Sequence, residues 1–204
     1  NKLLELKQVK SDKVFVKPNF VESIGKYIPE DQRKNQFVFV GRLDKLKGID
    51  TLFKAWGKMG ERAPKLLVCG TGPMEEWCKK FLANHKVNIE MKGFVSNIEA
   101  RKLIAISRAL ILPTRWYEGF PMSIVEAFSV GTPVLCSALG NAGAVVENGI
   151  TGYKFNAESV DELIQSTNMC YGLCEKTYEI YRKRYTKEEN YNKLMEIYNA
   201  EERI

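Results

Sequence analysis

Arg115-Trp116-Tyr117-Glu118-Gly119-Phe120-Pro121-Met122-Ser123-Ile124-Val125-Glu126 reads as a loop that turns into a helix. The apolar run Ala109–Leu112 delivers the chain into it, and an apolar-periodic segment carrying Glu126 leads out. Gly119 permits a sharp turn, and Pro121 suits a first helical turn, where its missing N–H costs nothing. The helix would then open on free backbone N–H groups at Phe120, Met122 and Ser123. Such a start attracts an anion, most often a phosphate. Glu118 precedes the helix and Glu126 lies roughly one and a half turns in, so both carboxylates can border one crevice. The stretch reads as a ligand site that the rest of the chain supports.

Around it, strand-like and helix-like segments alternate. Hydrophobic spacing predicts strands over 14–18, 36–40, 65–69, 87–92, 109–112, 133–136 and 151–155. Helices are predicted over 49–59, 73–83, 97–107, 121–130 and 142–147, and from 159 to the end with a break at Tyr185-Thr186. The segment 22–35 is charged and loop-like. Alternation with short glycine-containing loops defines an α/β chain with a parallel sheet covered by helices on both faces. Ligands of such sheets lie beyond the carboxyl ends of the strands, and every motif singled out below falls at such an end.

The 204 residues suffice for one domain with a full core, and 45% apolar with 27% charged residues is a soluble globular composition. No apolar run approaches a membrane span and no signal-peptide pattern opens the chain. Of the five cysteines, Cys69 and Cys136 sit in apolar runs, which favours buried free thiols in a reducing compartment over disulfides. Together these features predict cytoplasmic placement. Cys170-x3-Cys174 has no His or Cys pair to complete a zinc site. The net charge of +6 favours anionic partners, and Lys183, Arg184 and Lys187 are locally basic. A solvated surface accounts for most of this charge; peripheral contact with the inner face of a membrane is the second reading. Nucleic acid is disfavoured, since no basic stretch is interleaved with aromatics.

The aspartates are few and no Asp-x-Asp occurs, so a bound diphosphate would be neutralised by lysine and arginine rather than magnesium. Arg42 and Lys47 stand together in Gly41-Arg42-Leu43-Asp44-Lys45-Leu46-Lys47-Gly48: a fork for phosphate and a point charge before a helix, or else a charged surface loop. Gly70-Thr71-Gly72-Pro73 either admits a ribose or phosphate against the backbone or forms a tight turn, and it lacks the dinucleotide fingerprint. His85, the only histidine, lies in a polar loop, which argues against histidine-based catalysis. No G-x-S-x-G occurs. Trp116 and Tyr117 either pack the loop or line a sugar pocket.

These residues, in this order, resemble the donor-binding half of a retaining glycosyltransferase of the GT-B type, in the large family-4 group. The resemblance runs from about residue 16 to the end. It is carried by the E-x7-E pattern of Glu118-Gly119-Phe120-Pro121 with Glu126, then Ala127-Phe128 and Gly131-Thr132-Pro133-Val134. Gly41-Arg42 with Lys47-Gly48, Gly70-Thr71-Gly72-Pro73, Gly93-Phe94-Val95 and Asn148-Gly149 through Gly152 support it. It implies a Rossmann-like sheet, one GT-B half, that binds a nucleotide-diphosphate sugar without a metal or other cofactor. UDP is the expected carrier, with GDP next. Arg42 and Lys47 would bind the diphosphate and stabilise the leaving group. Glu118 would face the sugar, with Gly119, Pro121 and the N–H groups of Phe120, Met122 and Ser123 around the sugar and phosphate. Glu126 would accept from the ribose, Gly41, Gly70, Thr71 and Gly72 would lie along ribose and phosphate, and Val95 would meet the base.

Two departures stand out. Where the family usually has Gly-Gly-x-x-Glu, this chain has Gly140-Asn141-Ala142-Gly143-Ala144, with Ala144 in place of the acid. GT-B enzymes also place an acceptor-binding domain first, and residues 14–19 resemble the start of the second. The expectation is therefore a piece of a longer enzyme that takes a glycan or lipid-linked acceptor through the domain not present, and that is inactive in transfer alone. Residues 1–13 would be a polar remnant of the interdomain region, 14–185 the sugar-nucleotide domain, and 186–204 a helix crossing toward the other domain. The apolar residues of that helix, Tyr191, Leu194, Met195 and Tyr198, would pack on their own domain or else be exposed and promote self-association, the former being the favoured reading. A degenerate nucleotide- or partner-binding module and a GT-B-fold sugar-nucleotide epimerase are the alternatives.

Overall fold

A computed structural model describes residues 14–23, 25–117 and 119–201. The polar segment 1–13 and Glu118 lie outside the described residues. Among the described residues six strands form one sheet: β1 (Gln36–Val40), β2 (Lys65–Cys69), β3 (Ile89–Gly93), β4 (Ala109–Leu112), β5 (Val134–Ser137) and β6 (Gly152–Phe155). Their order is β3-β2-β1-β4-β5-β6 and all pairs are parallel, the doubly wound Rossmann arrangement. Chain order reverses between β1 and β4, so a crevice opens beside the carboxyl end of β1.

The strands are legible because a parallel sheet is buried on both faces and reads as a continuous apolar run. Phe37 and Phe39 of β1 join a core layer with Leu66 and Val68 of β2 and Ile111 of β4. Against that face pack α1 (Ile49–Met59), α2 (Glu75–Asn84) and α6 (Val160–Met169). Trp56 of α1 is fully buried and donates from Nε1 to the Pro64 carbonyl at 2.7 Å, so its one polar atom is satisfied. Val38, Leu67, Leu110, Val134 and Cys136 face the opposite layer, covered by α3 (Asn97–Ala105), α4 (Met122–Phe128), α5 (Gly140–Val145) and α7 (Cys174–Arg184). A last helix, α8, spans Lys187–Glu201.

Several expectations are corrected. Residues 14–18 form no strand; Pro18 instead accepts from Asn190 Nδ2 while Lys17 donates to Asn190 Oδ1. Helix α4 ends at Phe128 rather than near Val130. Gly131, at φ +75°, lets Thr132 N–H reach the Ala127 carbonyl and its own N–H reach Phe128, a Schellman-type stop. The helical tail breaks twice, not once. Gly172, at φ +72° with its N–H on Glu30 Oε2, separates α6 from α7. The apolar residues of α8 pack on this domain only in part: Leu194 is half-buried, while Tyr191, Met195 and Tyr198 are exposed.

At the amino end of the sheet, Arg33 is buried and donates to Ile28 O, Ser107 O, Thr132 Oγ1 and Val130 O. It ties the loop-like entry segment to the turns that lead into β4 and β5, and the sequence offered no pattern for it. Burial lowers its pKa from the ordinary arginine value.

All five cysteines are free and buried, the outcome that the apolar runs around Cys69 and Cys136 favour. Burial pushes the thiols from the ordinary 9.0 up to about 11 for Cys69 and Cys78 and about 12 for Cys136 and Cys170. A neutral, buried thiol is a poor nucleophile. An aromatic disulfide reagent at pH 8 is therefore expected to label the native protein only at its unfolding rate. Because the folded thiols hold their protons more tightly than unfolded ones, their stabilising contribution is full below pH 9 and lost as pH rises toward 12. Stoichiometric labelling within the mixing time would contradict the packing described.

Candidate functional site

The loops after β1 and β2 are stitched together by their backbones. Gly41 N–H donates to Cys69 O at 3.0 Å, Leu43 N–H to Thr71 O at 2.9 Å, and Met74 N–H to Leu43 O at 2.9 Å. A Cβ at Gly70, where φ is +140°, would sit 1.9 Å from the Gly41 carbonyl oxygen. At Gly72 it would sit 2.5 Å from the Leu43 carbonyl. The glycines of Gly70-Thr71-Gly72-Pro73 thus let two loops touch.

The same loops leave a cleft of about 530 Å³ above the sheet, lined by Gly41, Arg42, Gly70, Thr71, Gly72, Pro73, Phe94 and Val95 among others. A second cleft of about 210 Å³ adjoins it across Val40 and is lined by Lys47, Thr114, Phe120, Pro121, Met122, Ser123 and Ala142 with the apolar floor of β1 and β4. The structure therefore gathers almost all the expected residues at the crevice beside β1, but divides them. Arg42 belongs to the larger cleft and Lys47 to the smaller. The Arg42 side chain is 70% exposed and lies 3.4 Å from Asp44 through Nε, so its fork faces open space. Lys47 is fixed at its backbone, where its N–H donates to Asp44 Oδ1 at 2.8 Å. Gly48, at φ +71°, precedes α1, and a Cβ there would meet the Pro113 carbonyl oxygen at 1.8 Å.

Helix α4 starts at Met122, with Pro121 before it and no side chain capping its first turn. The loop ahead of it is held from α5: Asn141 Nδ2 donates to the Gly119 carbonyl, and Tyr117 lies over Gly140. Trp116 and Tyr117 are exposed and line neither cleft. Ala144 is exposed on α5.

Glu126 also lines neither cleft. Its Oε1 accepts from Arg101 Nε at 3.1 Å and Nη2 at 2.7 Å, and its side chain is 15% exposed. Arg101, on α3, was not anticipated; it is a single arginine on a half-buried helix with no motif around it. The arrangement leaves Glu126 one carboxylate oxygen for a further donor. Phe94 was noted only as part of a motif, yet it stands 81% exposed at the larger cleft. Among the described residues no group of three His, Cys, Asp or Glu side chains could hold a metal ion, and no helix is long and apolar enough to cross a membrane. His85 is exposed, stacked on Phe81 with its Nδ1 at the Phe81 carbonyl, away from both clefts.

The sheet order and its parallel pairing define a doubly wound, Rossmann-like α/β domain. The model of the family described as "Glycosyl transferases group 1" matches residues 20–170, and the chain belongs to that family. It is 35% identical over 152 residues to an uncharacterized glycosyltransferase of Methanocaldococcus jannaschii, covering 71% of this chain and 37% of that protein. A lipopolysaccharide outer core galactosyltransferase, solved in its apo form, superposes with a TM-score of 0.82 at 18% identity, over 98% of this chain and 59% of that one. An Anabaena protein solved in complex with UDP-glucose superposes with a TM-score of 0.68 at 18% identity, over 84% and 49%. At such identities the likeness shows the fold, which is the GT-B half implied by the resemblance. The chain spans between roughly a third and three-fifths of the length of these relatives.

Proposed function

We propose that this domain binds the donor of a glycosyltransferase, a nucleotide-diphosphate sugar, with UDP as the first expected carrier and GDP the second. The observation that carries the reading is the pair of adjoining clefts at the carboxyl end of β1, one with Arg42 and the other with Lys47. Their shared wall at Val40 suits a diphosphate passing from one to the other, the nucleoside lying in the larger and the sugar in the smaller. Phe94 and Val95 offer the base an aromatic and aliphatic face, and Gly41 with Gly70, Thr71 and Gly72 offers backbone to ribose and phosphate. Lys47 and the start of α4, from Phe120 through Pro121 and Met122 to Ser123, line the sugar cleft. Glu126, with one oxygen held by Arg101, would turn the other toward the ribose; Glu118 is assigned to the sugar, and Gly119 to the turn that presents it.

In transfer, negative charge grows on the departing diphosphate. Fixed cations and N–H groups stabilise it without reorganising, and they do so more strongly where water is excluded. Arg42 and Lys47 supply that charge, which supports a metal-independent reaction with no cofactor. Retention of anomeric configuration, hexose as the transferred group and a glycan or lipid-linked acceptor complete the proposal, with acceptor binding assigned to a domain outside this chain. The buried free thiols support cytoplasmic placement, with peripheral contact at the inner membrane face as its extension.

Calorimetric titration with UDP, GDP, ADP and their glucose conjugates in EDTA tests this reading. Saturable binding of one nucleotide series is expected. A folded sample that binds none of them would contradict it.

A further inference from the structure

The first residue of the organising stretch, Arg115, takes no part in lining either cleft, yet it is among the most heavily bonded side chains at this edge of the sheet. Its backbone N–H donates to Leu46 O at 2.7 Å. Its Nη1 donates to Lys45 O at 3.2 Å, and its Nη2 to Asp50 Oδ2 at 2.9 Å and Thr51 Oγ1 at 2.8 Å. Nε lies 2.8 Å from Glu158 Oε1 without hydrogen-bond alignment. The neighbouring Thr114 Oγ1 donates to the same Leu46 carbonyl at 3.3 Å. The guanidinium is only 14% exposed and Asp50 only 9%.

The two carbonyls that Arg115 grips belong to the residues immediately before Lys47. On the other side, Lys47 N–H is held by Asp44 and Gly48 N–H by Lys45 O at 3.1 Å, while Pro113 closes over Gly48. Asp50 and Thr51 belong to the first turn of α1, which follows Lys47 directly. Arg115 therefore grips the chain before and after Lys47 from one rigid, planar fork. Glu158, the only described non-glycine residue at positive φ (69°), brings a carboxylate to the outer edge of that fork.

We propose that Arg115 is a positioning residue for the donor site: it fixes the loop 45–48 so that Lys47 is held in place before an anion arrives. The inference rests on the donor reading above and adds to it a coupling between the loop after β4 and the cation after β1. A site whose cation is preorganised binds a diphosphate more tightly than one that must order a loop on binding.

The test has two readouts. In nucleotide-free protein, Arg115→Met is expected to speed amide hydrogen exchange of Lys47 and Gly48 at least tenfold while leaving the β1 and β2 amides unchanged. Thr51→Val, which removes one acceptor and keeps the shape, is expected to do the same more weakly and covers the case in which Arg115→Met does not fold. In calorimetry, Arg115→Met is expected to weaken UDP binding about fivefold or more in the natural background and less than twofold in Lys47→Ala. Unchanged exchange at 47 and 48 in whichever variant folds would overturn the proposal, as would effects of Arg115→Met and Lys47→Ala that simply multiply. Faster exchange in a protein whose unaltered form binds no nucleotide would refute the donor reading while upholding the clamp.

Discussion

Gly70→Ala is expected to lower the unfolding free energy by about 3 kcal/mol, from roughly 1–2 for a side chain forced into the positive-φ region and 1–3 for its overlap with neighbouring atoms. The overlapped atom is the Gly41 carbonyl oxygen, 1.9 Å from the new Cβ. That loop cannot drift away cheaply. Gly41 N–H is bonded to Cys69 O, Leu43 N–H to Thr71 O, and Gly70 N–H itself to Gly93 O at 2.7 Å. Gly93 provides the control, because its φ is +67° and nothing lies within 4 Å of an added Cβ. Gly93→Ala should cost only about 1 kcal/mol. Denaturant titration of both variants measures the difference. Equal midpoints would mean that the two loops are not stitched as described.

Lys47→Ala is expected to weaken binding of UDP or its sugar conjugate at least about tenfold, equivalent to roughly 1.4 kcal/mol. Arg42→Ala should cost a similar factor. The two cations occupy adjoining clefts and would meet different parts of one diphosphate, so the double variant should lose about a hundredfold if the effects add. The loss should shrink as salt is raised, since Arg42 in particular stands in solvent. Calorimetry at two salt concentrations checks both statements. A double variant that binds as well as the unaltered protein would remove the electrostatic basis of the proposed chemistry.

The sheet was legible because its strands are buried on both faces and announce themselves as apolar runs; 36–40, 65–69 and 109–112 were placed to the residue. Glycines at strand ends marked the loops of the site, and the alternation implied a parallel sheet covered on both faces, whereas the strand order is a property of the tertiary structure. What failed was local. Residues 14–18 have strand-like side chains, but a strand exists only with a partner, and pairing is a tertiary fact. A lone Gly172 inside a long helical pattern gave little sign that it would end α6, because its stop depends on Glu30, far away in sequence.

At the site, the types that bind through backbone or bulk were found from spacing, while the arginines that arrange them were not. Arg101, Arg33 and Arg115 each act across 25 to 99 residues of sequence. No period or motif encodes such contacts. Glu126 illustrates the consequence: its type and spacing suggest an acceptor, but nothing in the sequence shows that one of its oxygens is held by Arg101. The division of Arg42 and Lys47 between two clefts is likewise not revealed by the sequence order of the two residues.

The central claim is that one nucleotide sugar spans both clefts beside β1. Its most direct test is an amide map: nitrogen-15-labelled protein titrated with UDP-glucose in EDTA and followed by two-dimensional NMR. Shifts are expected at Gly41, Arg42, Lys47, Gly70, Thr71, Gly72, Val95 and from Phe120 through Met122 to Ser123, excluding the proline. The amides of α7 and α8 should stay still. Saturable shifts confined to the larger cleft, or centred on the exposed face of α8, would contradict the claim.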